Sequence, residues 1–220
     1  NRHVNLSKNS HIISLFVPNK ATCLPDLYPL PLHSVPTPAF GKLKLDLQNN
    51  NGVLFCEDLI AATSSEKRKN TNPWRLVDSH WSKFGALITA NQILNRLGLS
   101  AISFLTKDVQ PTLQYGDLSH KFATYMLNEY CHQDIIFEAP NPIKTFDSGG
   151  NNVYQGSVGR RASWENADSK VNAHLLIVGN SFAGLGDDQS HLTFWLARVF
   201  KKVTFLHAGH MPSDALDFYA

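Results

Sequence analysis

The chain has 220 residues, 43% of them hydrophobic and 17% charged, with a formal net charge of +2 and ten histidines. That length suits a single domain able to bury a full core without disulfide or metal staples. Near-neutral charge, with Lys67-Arg68-Lys69 as the lone basic run, gives no electrostatic footprint for nucleic acid. No apolar run approaches the ~20 residues of a membrane-spanning helix.

The chain opens on Asn1-Arg2-His3-Val4-Asn5, without an initiator Met or a secretory signal. It is read as one domain, 1–220, from a mature or truncated chain. Cys23, Cys56 and Cys131 are far apart and fit no zinc spacing. An odd number excludes full internal pairing; buried thiols are expected, with one disulfide left open.

In chain order, Ile12–Val17 reads as a first strand. Five prolines between Pro25 and Pro38 forbid a regular helix or central strand there. A helix is expected near Pro38–Leu47, a strand at Gly52–Phe55 and a helix at Asp58–Ala62. The clearest helix spans Ser82–Leu97, with Phe84, Leu87, Ile88, Asn91, Leu94 and Leu97 on one stripe and Gly98 as its stop. Residues 117–130 suggest a weaker helix, Asp134–Glu138 a strand, and 141–166 a glycine-rich loop. His174–Val178 reads as a buried strand, followed by a helical repeat through Leu192, Trp195, Leu196, Val199 and Phe200 and a strand at Val203–Leu206. The succession predicts a parallel βαβ unit and an α/β class with a mostly parallel central sheet in three layers. Another helix is expected to begin near the last residues.

Ser181 follows the 174–178 strand directly, where open α/β sheets present their ligands. Gly179 permits the tight turn that would project the hydroxyl, and unpaired N–H groups beyond it would suit an oxyanion. A serine hydroxyl needs a base at neutral pH. Asp78 and His80, two apart before the strongest helix, can face one site if that stretch is extended, Asp78 then fixing the imidazole tautomer. Read singly, Ser181 is equally a turn residue, and Asp78 or Ser79 a helix cap beside a surface His80.

Taken together, the blocks Asp78-Ser79-His80-Trp81, Gly179-Asn180-Ser181-Phe182, Val17-Pro18-Asn19-Lys20-Ala21 and Gly116-Asp117-Leu118 resemble, in order, the alginate O-acetyltransferase AlgX/AlgJ group of the SGNH superfamily. In that group the Asp–His pair precedes the serine, as here. The resemblance implies an SGNH-like catalytic domain and a polysaccharide O-acetyltransferase working through an acetyl-serine. Catalytic roles would fall to Ser181, His80 and Asp78, and the oxyanion to backbone N–H groups of Ser181 and Gly184. It also implies a polysaccharide or oligosaccharide acceptor, an acetyl-donor protein or small molecule, no cofactor or metal, and a place in the bacterial cell envelope, in the periplasm. A carbohydrate acetyl esterase using the same triad is the alternative. Asn180 departs from the group's Asp, and the group's C-terminal part does not follow Ala220.

Three other readings fit parts of the sequence. An α/β-hydrolase would read Gly-x-Ser-x-Gly at the nucleophile; Ala183 breaks it, and its partners would come from Asp187, Asp188, His191, His207, His210 or Asp214. A metal site would use His207 and His210 with Asp187, Asp188 and His191, at no recognised spacing. A non-catalytic carbohydrate-binding domain would use Trp74, Trp81, Trp164 and Trp195 as stacking platforms.

Overall fold

The computed structural model describes residues 11–24, 39–63, 71–119, 128–148, 160–184 and 188–208. The proline-rich passage 25–38 and the expected C-terminal helix lie outside them. The first described half is a small parallel pair, β1 (Ser14–Phe16) beside β2 (Val53–Phe55), with Phe16 paired to Phe55 and their rings stacked at 5.3 Å. The helices α1 (Lys20–Cys23), α2 (Ala39–Leu47) and α3 (Glu57–Ala62) belong to the same part of the chain. The Asn19 side chain caps α1, accepting the Thr22 N–H at 2.7 Å and so satisfying a donor that a helix start leaves free.

The core is organised by α4 (Lys83–Arg96). Ser82 accepts the Phe84 and Gly85 N–H groups at the start of this helix, and Gly98, at φ +70°, turns the chain after it. Phe84, Ala86, Leu87, Ala90, Ile93 and Leu94 are buried, so the apolar face is wider than the stripe read from sequence and reaches Thr89. Gly85 is required by contact: a Cβ there would meet the Pro73 carbonyl oxygen at 2.3 Å. Trp74, Trp81 and Trp195 are almost wholly buried. Trp81 and Trp195 each direct their indole N–H to a carbonyl, of Ser190 and Gln189 respectively, both at 2.7 Å. Side chains of this size remove about 150–250 Å² each from water, which makes them the main apolar weight of the domain.

The largest sheet has four strands in the order β5-β6-β8-β7: β5 (Ile143–Asp147), β6 (Arg161–Glu165), β7 (Val171–Gly179) and β8 (Phe200–His207). The expected βαβ unit is present, with β7 parallel to β8 and the short helix α5 (Leu192–Leu196) between them. The other two pairings are antiparallel. The structure is therefore a mixed α/β domain with small sheets, in place of the mostly parallel central sheet that was anticipated.

Several elements depart from expectation for identifiable reasons. The segment read as a loop, 141–166, contains β5 and β6, whose five-residue lengths sit beside glycines that dominate the pattern. β7 lies at an edge of its sheet and is half exposed, Val178 being 42% accessible; the inner position belongs to β8, where Val203, Thr204, Phe205 and Leu206 are buried. The helical repeat through Phe200 stops at Leu196, because Phe200 opens β8. A strand that was not anticipated, β3 (Phe104–Gln114), pairs antiparallel with β4 (Glu129–Phe137). Pro111, which has no N–H to give a ladder, falls where the register shifts between Asp108 and Thr112. Of the helix expected at 117–130, residues 117–119 form a turn, 129–130 belong to β4, and 120–127 lie outside the described residues. Among the described residues no helix is long and apolar enough to cross a membrane.

All three cysteines are free. Burial pushes the Cys23 thiol up to about 11 and the Cys56 thiol up to about 12. At pH 8 fewer than about one in a hundred of either thiol is ionised. Iodoacetamide at that pH is expected to leave Cys23 and Cys56 unmodified in the folded protein and to label both in denaturant. Peptide mapping checks this; labelling of either in the native state would contradict the burial.

Candidate active site

The segment 72–82, which leads into α4, is a closed loop. Asn72 accepts the Trp74 N–H at 3.1 Å, Ser82 donates its hydroxyl to the Asn72 carbonyl at 2.6 Å, and Trp74 and Trp81 form an isolated bridge across its neck. Its tip is tied from three directions. Lys20, at the start of α1, donates to the carbonyls of Leu76 (2.8 Å) and Asp78 (3.0 Å). Burial lowers the pKa of Lys20, partly offset by the carboxylates of Glu129, Asp78 and Asp117. Asp117 accepts the Ser79 N–H at 2.6 Å and the Ser79 hydroxyl. Gly116 lies so close that a Cβ would meet the Val77 carbonyl oxygen at 2.2 Å.

Asp78 is only 6% exposed. Its Oδ1 accepts the His80 backbone N–H at 3.0 Å and faces His80 Nδ1 at 2.7 Å. Aspartate and imidazole are thus brought together by an Asx-type turn, and the extended geometry expected of this stretch is not what joins them. His80 Nε2 lies 2.7 Å from Ser181 Oγ, across 101 positions of sequence. With Nδ1–H donated to Asp78, the Nε2 lone pair faces the serine hydroxyl. The outer oxygen of Asp78 accepts from Arg75 Nη1 at 2.9 Å and from the Asp117 N–H at 3.4 Å. A buried carboxylate requires such donors, because burying it without them costs several kcal/mol, of order 3–5.

Ser181 stands at the carboxyl end of β7 in a turn organised by Asn180. The Asn180 side chain accepts the Phe182 N–H at 3.1 Å, and its carbonyl accepts the N–H groups of Ala183 (3.0 Å) and Gly184 (3.3 Å). Asn180 therefore keeps the turn in the absence of the Asp found in the resembling group. The Gly184 N–H is spent inside the turn, whereas the Ser181 N–H has no hydrogen bond among the described residues. Gly184 sits at φ +70° with the His191 ring where a side chain would lie. Phe182 packs its ring 5.0 Å from both Trp81 and His80 and 6.1 Å from Trp74. It is the main apolar link between the serine turn and the histidine loop.

Among the described residues, His80 is the partner of the Ser181 hydroxyl, and no hydrogen bond joins Asp188, His191 or His207 to it. Asp187, His210 and Asp214, the other residues of the α/β-hydrolase and metal readings, lie outside the described residues. Asp188 accepts the Ser190 N–H, His191 precedes α5, and His207 ends β8 with its pKa lowered by burial. Asp78, His80 and Asp117 do bring one donor atom each within 4.8 Å of one another. Those atoms already serve His80, Arg75 and Ser79, and the Arg75 guanidinium beside Asp78 opposes a cation. Of the tryptophans proposed as sugar platforms, Trp74, Trp81, Trp164 and Trp195 are all buried, so none offers an open face. Sequence reading gave no role to Arg75, Lys20 or Phe182. The i,i+3 spacing of Arg75 and Asp78 was the one available hint. Beside the loop lies a hollow of about 630 Å³, walled in part by Trp74, Arg75, Lys83, Glu129, Tyr130 and Asp188.

No protein-family model and no curated protein matches the sequence. Solved structures do share the fold. PatB1 of Bacillus cereus with a sulfonyl adduct superposes at a TM-score of 0.63 and 15% identity, over 100% of this chain and 80% of that one. A DHHW family protein from Eubacterium siraeum gives 0.61 at 13% identity, over 99% and 77%. The O-acetyltransferase domain of Pseudomonas putida AlgJ gives 0.53 at 16% identity, over 99% and 70%. The chain thus has the fold of the AlgJ-like group that its sequence resembles.

Gly116→Ala forces a methyl group into the Val77 carbonyl and the Asp78 side chain. Overpacking of this kind costs about 1–3 kcal/mol. A lowered melting temperature is expected together with loss of serine reactivity, read by calorimetry and by labelling with a sulfonyl fluoride. An unchanged melting temperature would show that the loop is not clamped there.

Proposed function

We propose that this chain is a serine-dependent O-acetyltransferase that moves an acetyl group to a carbohydrate hydroxyl. The observation that carries the reading is the continuous hydrogen-bonded path Asp78–His80–Ser181, 2.7 Å at each step, on a fold shared with the O-acetyltransferase domain of AlgJ.

His80 Nε2 takes the Ser181 proton as Oγ attacks the acetyl carbonyl of the donor. The negative charge on the tetrahedral oxygen is met by the Ser181 N–H. Gly184 takes no part in this as long as its N–H is held by Asn180. Collapse of the intermediate breaks the bond to the donor's leaving group, which receives the proton from His80, and leaves acetyl-Ser181. A sugar hydroxyl then enters, gives its proton to His80, and attacks the acetyl carbon. Breakdown of the second intermediate returns that proton to Ser181 Oγ and releases the acetylated sugar. Asp78 holds the imidazole and balances the imidazolium in both halves.

By the same resemblance the acceptor is a polysaccharide or oligosaccharide, the donor an acetylated protein or small molecule, and the setting the bacterial cell envelope. Acetyl esterase activity is the second reading, favoured by the exposure of the site: about a third of the His80 side chain is open to solvent, so water reaches the acyl-enzyme.

Incubation with an activated acetyl ester is expected to add one acetyl group to Ser181, seen by mass spectrometry. Ser181→Ala removes the adduct and His80→Ala lowers its rate of formation by about 10³-fold or more. Addition of glycans distinguishes the two readings: faster loss of the adduct with acetylated glycan as product supports transfer, and free acetate alone supports hydrolysis. Wild-type turnover by Ser181→Ala would overturn the assignment. PatB1 with its sulfonyl adduct suggests a sulfonyl fluoride as a second serine trap.

A further inference from the structure

Asp78 commits one oxygen to His80 and turns the other toward Arg75. The guanidinium makes two hydrogen bonds, Nη1 to Asp78 Oδ2 at 2.9 Å and Nη2 to the Tyr115 carbonyl at 2.5 Å, while Glu129 Oε1 lies 3.5 Å from Nε as an ion-pair contact without a hydrogen bond. The other oxygen of Glu129 accepts the Leu76 N–H at 2.7 Å. A planar cation hydrogen-bonded at two nitrogens and flanked by a carboxylate at the third is restricted in orientation, and it bears on the plane of the carboxylate that it grips. The other donor to Oδ2, the Asp117 N–H, is longer at 3.4 Å, and Lys20 reaches main-chain carbonyls instead of the carboxylate.

We propose that Arg75 is a positioning residue of the catalytic centre, acting through Asp78 to aim His80, with Glu129 holding Arg75 in turn. This rests on the Ser181–His80–Asp78 reading above. Without Arg75 the buried carboxylate keeps His80 and one long amide contact, and rotation of its plane carries Oδ1 away from Nδ1. Misplacement of a reacting group by about 1 Å costs about a hundredfold in rate. A role exercised through the aim of His80 puts the loss on kcat and leaves KM in place.

The test compares Arg75→Met and Arg75→Lys with wild type in three measurements. These are kcat and KM for a small acetyl ester, melting temperature, and the downfield proton resonance of His80 Nδ1–H, assigned with a His80→Gln control. Arg75→Met is expected to lower kcat about tenfold to a hundredfold, leave KM within about twofold, and weaken or shift the resonance. Arg75→Lys, a point charge able to keep the Asp78 contact alone, falls between. Wild-type kcat and an unmoved resonance in Arg75→Met overturn the proposal, as does a rise in KM with kcat preserved in both variants. If Arg75→Met does not fold, Arg75→Lys decides: reduced kcat at unchanged KM with a shifted resonance supports the role, and wild-type values end it. The resonance needs no turnover. A wild-type protein that forms no acyl-enzyme therefore defeats the acetyltransferase reading separately, while the resonance still tests whether Arg75 aims His80.

Discussion

A carboxylate removed from water is the constraint around which this molecule is arranged. Asp78 is almost fully buried, and an uncompensated charge there would cost more than most single contacts contribute. The chain answers with donors from separate parts of the sequence: the His80 main chain and ring, the Arg75 guanidinium and the Asp117 amide. Each comes with its own support. Arg75 leans on Tyr115 and Glu129, Asp117 on Ser79, and the loop carbonyls on Lys20. The site is therefore a local network in which satisfying one buried group fixes the placement of the next.

Packing supplies what hydrogen bonds do not. The histidine loop and the serine turn belong to segments a hundred residues apart, and aromatic rings hold them together. Trp81 is buried against α4 and tied to the Ser190 carbonyl, and Phe182, the residue after Ser181, lies edge-on to Trp81 and beside His80. The glycines at 85 and 116 permit the close backbone approaches on which the loop depends.

Much of this could be read from residue order. The 82–97 helix carried a strong apolar periodicity and a capping serine, and the 174–181 and 203–206 segments spelled a strand, turn and returning strand. Asp78 and His80 stood out because their residue types matched what a serine needs. The reason given for their meeting was mistaken, since a turn that folds the carboxylate back onto the His80 amide brings them together. β3 was illegible because it is exposed on both faces and carries Pro111, so no two-residue alternation appears. β6 was masked by neighbouring glycines, although Ala162 and Trp164 do alternate with Arg161, Ser163 and Glu165 in burial. Arg75 escaped notice because an arginine near an aspartate is commonplace in sequence. Its importance comes from being oriented by Tyr115 and Glu129, distant groups that no local pattern reveals.

On the proposed reading, the edge-on contact of Phe182 with Trp81 makes serine reactivity a gauge of how well the two segments are docked. Separation of the turn from the loop by a few ångströms would leave every helix and strand in place while parting Nε2 from Oγ. Inactivation on warming would then precede the cooperative melt, and the gap between the two temperatures would measure the strength of that aromatic seam.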